Sequence, residues 1–463
     1  MTHILKLYDT LSKEIKALEP KDNTVRMYHC GPTVYDYPHI GNLRSYVFAD
    51  TVRRTCEFLG YDVKQVINIT DVGHLVSDAD TGEDKIEKAA AREGKTAKEI
   101  SEYFTQIFME NLRDLNIVTT GTQFPKATEY IQEQIDLIKK LEANGHVYKT
   151  SEGMYFDVQT FEEYGKLGNI DLKGLEAGKR VELSDEKYSP YDFALWKFSP
   201  AGEKRQQEWE SPWGVGFPGW HIECSAMSQK LLGETLDIHT GGIDHIPVHH
   251  NNEIAQSECV SHKPLSNIWM HGAFLNWKDK KMSKSDGSFI KLSDLSEKGI
   301  TPLGFRYFLL QSKYRQETMF DEESLLSAQT AYSRLLGRIK AIWAGLADGT
   351  DDKILEILTI GLTERITDDL NTAQVLAFLW DTLKNETTVS SLSKKDFETF
   401  ITKTDAILGL KLVDALTADI VREIPAEIQA LFAARTIARN KKDWTEADRL
   451  REEIKDAGFE VID

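Results

Sequence analysis

Residues 25–70, VRMYHCGPTVYDYPHIGNLRSYVFADTVRRTCEFLGYDVKQVINIT, decide the fold. VRMYHC, closed by a Gly-Pro turn, reads as a short strand. Beyond the long turn GPTVYDYPHIGN, apolar residues recur at helical spacing through LRSYVFADTVRRTCEFLG, and Gly60 supplies a stop. VKQVINIT then reads as a second strand, so the whole stretch is a βαβ unit. Parallel strands joined by helices build open α/β sheets whose ligands lie beyond the carboxyl ends of the strands, which is where residues 31–42 fall. Chemistry is expected in that turn.

Outward from this unit the pattern changes several times. The start, MTHILKLYDTLSKEIKALEP, is amphipathic and charged, resembling neither a membrane span nor a signal peptide, and no run of ~18 apolar residues occurs anywhere. A cytoplasmic protein without membrane partners is expected. Residues 83–145 read as helical, whereas 146–200 turns to short strands and loops, which predicts an insertion interrupting the sheet. After WHIECSAMSQKLLG the alternation resumes with strand-like LDIHTGG, helix-like HNNEIAQSECV and strand-like NIWMHGAFLNW. From residue 326 the pattern is helical, with periodic apolar positions in LLGRIKAIWAGLA, TAQVLAFLWDTL and IQALFAARTIARN; 345–353 and 413–427 are its weakest-patterned stretches.

Bulk composition sets further limits. With 463 residues and 41% hydrophobic content, the chain can bury more than one core, since single cores rarely grow past ~250–300 residues. Lys plus Arg is 56 against 74 for Asp plus Glu, a net charge of −18 that by itself counts against a protein coating nucleic acid by bulk electrostatics. Nucleic-acid contact must use local basic surfaces, such as residues 278–284 or the tail bearing Arg435, Arg439, Lys441, Lys442, Arg449 and Arg451. That tail also carries Asp443, Glu446, Asp448, Glu452 and Glu453, as a solvated amphipathic helix would. The 4 cysteines, Cys30, Cys56, Cys224 and Cys259, form no CxxC pair; they argue against a disulfide scaffold, leave room for a metal, and fit a reducing compartment.

Two short segments carry the chemistry. Pro38-His39-Ile40-Gly41-Asn42 sits where free backbone N–H groups and a helix dipole attract phosphate, where an imidazole can donate to a developing phosphoryl charge, and where Gly41 lets a flat base approach. Alone, a histidine before a helix is usually a cap or a packed residue. Far along the chain, Lys281-Met282-Ser283-Lys284-Ser285 is a lysine-bearing turn suited to clamping a triphosphate, though alone such a turn is usually just solvated.

Together, in this order and flanking a split α/β sheet, these segments resemble the HIGH and KMSKS signatures of class I aminoacyl-tRNA synthetases. YHCGPTVYDYPHIGN, PGWHIECSAMS, GGIDHIPVHHNNEIAQS and DFALWK are similar to cysteinyl-tRNA synthetase patterns, as are YFDVQTFEEYGKLGNIDL, DDLNTAQVLAFLWDTL and ARNKKDWTEADRLREEIKDAGFEV, so the resemblance runs nearly end to end. It implies an α/β fold: a Rossmann-like class I synthetase catalytic domain split by an insertion, followed by an all-α C-terminal tRNA-binding region. The expected divisions are 1–125 for the first half of the catalytic domain, 126–219 for the insertion, 220–275 for the second half with a zinc site, 276–325 for the KMSKS loop and stem-contact region, 326–410 for a helical bundle, and 411–463 for an anticodon-binding segment.

The resemblance places one zinc ion per chain on Cys30, Cys224, His249 and Glu253. His249 and Glu253 share a helix face if HHNNE is helical, and two thiolates, an imidazole and a carboxylate make an acceptable zinc set. The sequence leaves open a shift from His249 to His250, with His245 and His39 as further competitors; Cys56 and Cys259 read as packing residues. Zinc binds a thiolate far better than a hydroxyl, so cysteine is separated from serine without hydrolytic proofreading, and the insertion need not be an editing domain. By the same resemblance Thr33 and Trp220 hold the amino acid; His39, Gly41, Asn42, Gly241, Asp244, His271, Gly272 and Lys284 approach ATP; and His39, Asn42, Lys281 and Lys284 are catalytic.

The implied reaction is attack of the cysteine carboxylate on the α-phosphate of ATP, with Mg²⁺ carried on the phosphates, then transfer to the 3′-terminal ribose of tRNA(Cys). A monomer is expected, with Trp444 and Arg439 as anticodon contacts. The chain departs from the family pattern at Asn42, at the longer segment after Thr70-Asp71, and at Asp286. Three other readings compete: a paralogous ligase passing cysteine to an amino sugar, which would lack a full anticodon domain; a regulatory module, which would lose the His39 or lysine signature; and a zinc hydrolase, which four protein ligands leave little room for.

Overall fold

The computed structural model of the chain describes residues 4–73, 84–168, 186–200, 202, 205–277, 280–281, 289–349, 352–417, 426–440 and 443–456. These fall into two compact units, with the chain dividing between residues 416 and 417.

In the first unit the βαβ unit is built as its pattern requires. Strands Thr24–His29 and Asp62–Ile67 pair in parallel, joined by the helix Ile40–Phe58. The helix buries Phe48, Val52 and Cys56 against Val25 and Met27, while Tyr28 and Cys30 turn to the other face, where Cys224 and Met227 cover them. The chain reverses after the helix at Gly60, whose φ of 88° suits a residue without Cβ.

The 5-stranded central sheet is parallel throughout, in the order Ser266–Gly272, Leu236–Gly242, Thr24–His29, Asp62–Ile67, Thr122–Gln123. Its crossovers run in opposite directions from the seam between Thr24–His29 and Leu236–Gly242, the point at which open α/β sheets leave a crevice. Register sets Gly242 beside Gly272 and His29 beside Thr240 and Ile67, so the chain leaves these strands at one common edge.

The insertion is a 4-stranded antiparallel sheet, Val147–Lys149, Gly153–Phe156, Phe193–Phe198, Gly216–Pro218. Phe156, Leu195 and Trp196 pack it onto Ile135, Ile138 and Leu141 of the helix Ile131–Ala143. Its last strand runs directly into the helix Trp220–Leu232.

NIWMHGAFLNW, read as one strand, is two. Ser266–Gly272 ends the central sheet, and Leu275–Trp277 joins a separate sheet with Thr318–Phe320 and Lys280–Lys281. Distant groups satisfy the backbone at the break: Ala273 N donates to Tyr314 O at 2.8 Å, and buried Arg44 donates to Phe274 O. Nothing local in the sequence marks it.

Helices Glu322–Gly345, Asp352–Ile366, Thr372–Lys384 and Lys394–Leu408 share one apolar core with Phe104, Phe108 and Phe305. A buried ion pair joins Arg306 to Asp50 of the helix Ile40–Phe58, and Arg306 also donates to Leu408 O at 2.7 Å and Leu115 O at 2.9 Å. Among the described residues the second unit holds the helices Ala426–Asn440 and Trp444–Asp456, with Ala438, Ala447 and Leu450 buried between them. Among the described residues no helix is long and apolar enough to cross a membrane.

Candidate active site

A cavity of about 490 Å³ opens at the carboxyl edge of the central sheet. Its wall includes Cys30 and Trp220, which mark one end, and His39, Gly41 and Asn42, which mark the other; Thr33, Asp244 and Gly272 also line it. Each position follows from the topology. Cys30 is the first residue beyond the strand Thr24–His29, Gly272 ends its strand, and His39 opens the helix that follows the turn.

At the first end, the donor atoms of Cys30, Cys224, His249 and Glu253 lie within 4.8 Å of one another, all buried. His249 and Glu253 are one turn apart on the helix His249–Ser261, with Nε2 and Oε1 at 3.0 Å. The other carboxylate oxygen of Glu253 is 2.9 Å from His239 Nε2, and His221 Nδ1 is 2.8 Å from His249 Nδ1. A second grouping, Cys30 with His239, His250 and Glu253, shares two of these donors. His250, however, has Nε2 3.3 Å from Cys30 Sγ and Nδ1 2.8 Å from His271 Nε2, and His271 continues to Thr10 Oγ1 at 2.8 Å.

Electrostatics at this end are severe. Burial works against charge on Glu253, but the imidazoles of His239 and His249 outweigh it and hold the carboxyl well below its ordinary range. Burial likewise opposes charge on His249, yet Glu253 and Cys224 raise its pKa to about 10. Burial pushes the Cys30 thiol up, whereas on Cys224 the hydrogen bonds from Cys30 and His249 prevail over burial and bring the thiol down. A desolvated carboxylate beside two thiols calls for a compensating cation, here the proton on His249. Sites that exchange such protons for a metal have this donor chemistry. Two sulfurs, one imidazole and one carboxylate fit zinc.

At the other end the groups are partly exposed. His39 is the N-cap of the helix Ile40–Phe58: its Nδ1 accepts from Asn42 N at 3.1 Å, and Asn42 Oδ1 accepts from His39 N at 3.3 Å. An Nδ1 that accepts leaves the neutral ring's proton on Nε2, so the imidazole keeps a donor. The ordinary role of a histidine before a helix and a phosphate-binding role are therefore compatible. The chain following the second signature is stitched to this turn, since Ile40 N donates to Ile290 O at 2.9 Å, His39 pairs with Lys291, and Phe289 meets the His39 ring edge-on at 5.6 Å.

Of the residues singled out from the sequence, Cys30, Thr33, His39, Gly41, Asn42, Trp220, Asp244 and Gly272 share the cavity wall, and Cys224, His249 and Glu253 lie in the buried cluster at Cys30. Trp220 packs on His249, ring centres 4.5 Å apart. Gly241 and His271 are buried off the wall; a Cβ on Gly241 would meet His250 at 2.7 Å. The backbone of Lys281 lies in the strand Lys280–Lys281, and Lys284 and Asp286 fall outside the described residues. Sequence reasoning missed His239, His221 and Phe289. His239 shares a strand face with Gly241 by two-residue alternation, which is a usable signal, whereas the others are set by tertiary packing alone.

Comparison with known proteins agrees with this geometry. Residues 16–330 match the family described as tRNA synthetases class I (C) catalytic domain, and residues 421–463 match the cysteinyl-tRNA ligase anticodon binding domain. Cysteine–tRNA ligase 1 of Burkholderia lata is 46% identical over 461 residues, covering 99% of this chain and 95% of that protein. Cysteine–tRNA ligase of Treponema denticola is 42% identical over 490 residues, covering 99% and 98%. Among solved structures, Mycobacterium tuberculosis methionyl-tRNA synthetase in complex with methionyl-adenylate superposes with a TM-score of 0.58 at 16% identity, covering 85% of this chain and 91% of that one, a likeness of fold.

Proposed function

We propose that this chain, which belongs to the cysteine–tRNA ligase family of class I aminoacyl-tRNA synthetases, selects cysteine by its thiolate at the Cys30, Cys224, His249, Glu253 cluster and forms a cysteinyl-adenylate beside His39. The observation that carries the proposal is convergence: two thiols, an imidazole and a carboxylate from three separate segments meet within 4.8 Å at one end of a cavity whose other end is the His39 turn.

Cys30, Cys224, His249 and Glu253 would hold the zinc ion. Bound there, zinc supplies a soft Lewis acid that favours a thiolate over a hydroxyl and lowers the thiol pKa. His239 and His221 fix the orientation of Glu253 and His249 from behind. Trp220 and Thr33 close the wall around the amino acid, and Gly272 with Asp244 lines the path toward adenosine.

The cysteine carboxylate forms a bond to the α-phosphorus of ATP as the bond to the β-phosphate oxygen breaks, and pyrophosphate leaves with its Mg²⁺. The His39 Nε2–H donates to the charge that grows on the α-phosphate, and Asn42 holds the ring through the capping box. Lys281 and Lys284 complete the phosphate clamp in this reading. The 3′-terminal ribose of tRNA then takes the acyl group as AMP departs. Four buried thiols with no disulfide fit a protein of a reducing cytoplasm, and we take a monomer as the working unit. The domain divisions given from the sequence are retained as part of the proposal. The match at residues 421–463 favours tRNA over an amino sugar as acceptor.

The test is cysteine-dependent exchange of labelled pyrophosphate into ATP, with serine as control. Exchange with cysteine and none with serine is expected; equal exchange, or none, would overturn the reading.

A further inference from the structure

At the cleft mouth, outside both signatures, two aromatic rings stand in solvent: Tyr37, 37% exposed, and Tyr103, 43% exposed. Tyr37 precedes Pro38 and His39 and lines the cavity, whereas Tyr103 belongs to the helix Ala97–Asp114. Their rings meet edge to face at 6.5 Å and their hydroxyls lie 3.1 Å apart. Phe104, only 4% exposed, supports both edge-on, at 5.3 Å and 5.1 Å, so the pair rests on the core. The Lys95 ammonium sits 4.9 Å from the centre of the Tyr103 ring, and that of Lys291 sits 4.9 Å from the Tyr37 ring. Lys291 Nζ also lies 3.7 Å from Asp294 Oδ1.

Surface tyrosines with lysines folded over them are sometimes only a local cation–π contact. This set differs in three ways. The rings come from separate elements, a buried aromatic fixes them, and one of them is continuous with the catalytic wall. Exposed, supported ring faces beside ammonium groups that can swing to phosphates are what unpaired nucleotides bind. A double-stranded stem stacks its bases internally and offers no such faces, which leaves the single-stranded end of an RNA as the occupant.

We propose that Tyr37 and Tyr103, with Lys95 and Lys291, form a platform on which the unpaired 3′ nucleotides of the tRNA stack as the terminal ribose enters the cleft, an inference that rests on the tRNA-acceptor reading above. The rings carry the bases and the two lysines meet the flanking phosphates.

The experiment measures the KM for tRNA in Tyr103→Ala and Tyr103→Phe, and inhibition by a tRNA trimmed of its unpaired 3′ nucleotides. Tyr103→Ala should raise the KM for tRNA about 5- to 150-fold, the loss of a base–aromatic stack, while Tyr103→Phe keeps the ring and stays within about 2-fold of wild type. Wild type and Tyr103→Ala should bind the trimmed tRNA alike. An unchanged KM in Tyr103→Ala, or equal weakening of intact and trimmed tRNA, overturns the platform. Should Tyr103→Ala fail to fold, as loss of cysteine-dependent pyrophosphate exchange would report, Lys95→Gln replaces it, with a KM for tRNA raised about 3-fold or more at low salt expected and no change overturning the proposal. A wild-type protein that exchanges pyrophosphate but charges no tRNA is a failure of the acceptor reading itself, distinguishable from failure of the platform.

Discussion

The two ends of the cavity are built on opposite principles. At the cysteine end, Glu253 and His239 are fully buried, every donor is held by a partner on another element, and charge is balanced inside the protein. At the phosphate end, His39 is half-buried and Asn42 exposed, and the two hold each other as a helix cap against the chain at Phe289 and Lys291. The difference teaches how one cleft divides its labour. Discrimination between two amino acids that differ by one atom needs desolvated donors fixed in advance, because only there does the wrong group leave buried charge uncompensated. Stabilising a phosphoryl group already rich in charge needs donors that can reach a solvated, moving ligand.

Substitutions at each end should therefore separate. Cys224→Ala should lose the bound zinc and cut cysteine activation by about 10⁴-fold while the KM for ATP holds; retention of discrimination against serine would break the comparison. His39→Ala should keep its zinc but slow pyrophosphate exchange by about 10²- to 10³-fold, and its lost cap should cost about 1 kcal/mol in urea unfolding. Zinc loss in that variant would show the ends are not independent. His239→Gln, which alters the hydrogen bond to Glu253's outer oxygen, should weaken zinc about 10- to 100-fold in a chelator competition.

The smallest effect concerns acid. Burial lowers His29 to about 3 and His245 to about 4. Above their unfolded value of ~6.5 the folded and unfolded chains are both neutral there. Below it, the unfolded chain binds protons that the folded one refuses, so stability present above ~6.5 is lost as pH falls through the folded values. The urea midpoint of zinc-stripped protein should fall steadily from pH 7 to pH 4. A flat profile would mean these histidines are more solvated than their packing indicates.

Much of this arrangement is legible in the sequence, and the reasons are local. The strand VRMYHC, its helix and VKQVINIT announce the βαβ unit through periodicity, and the insertion shows as a change of period. The helix begins at Ile40 rather than Leu43 because His39 serves as its cap, a role that side chain rarely takes. The break at Ala273 is set by Tyr314 and Arg44, and the Asp50–Arg306 pair joins segments that no local pattern links. For the zinc cluster, the identities of Cys30, Cys224, His249 and Glu253 came through family resemblance. Their meeting point is a consequence of the sheet order, which sets Leu236–Gly242 beside Thr24–His29 and brings the two covering helices over Cys30.

The central claim, that the buried cluster reads the substrate's sulfur, is tested most directly by replacing zinc with cobalt and titrating amino acids into the protein. The account predicts that cysteine strengthens the thiolate-to-cobalt charge-transfer absorption of the Cys30, Cys224, His249, Glu253 site, while serine leaves the spectrum unchanged. A cobalt spectrum indifferent to cysteine, in protein that still activates it, would contradict the account.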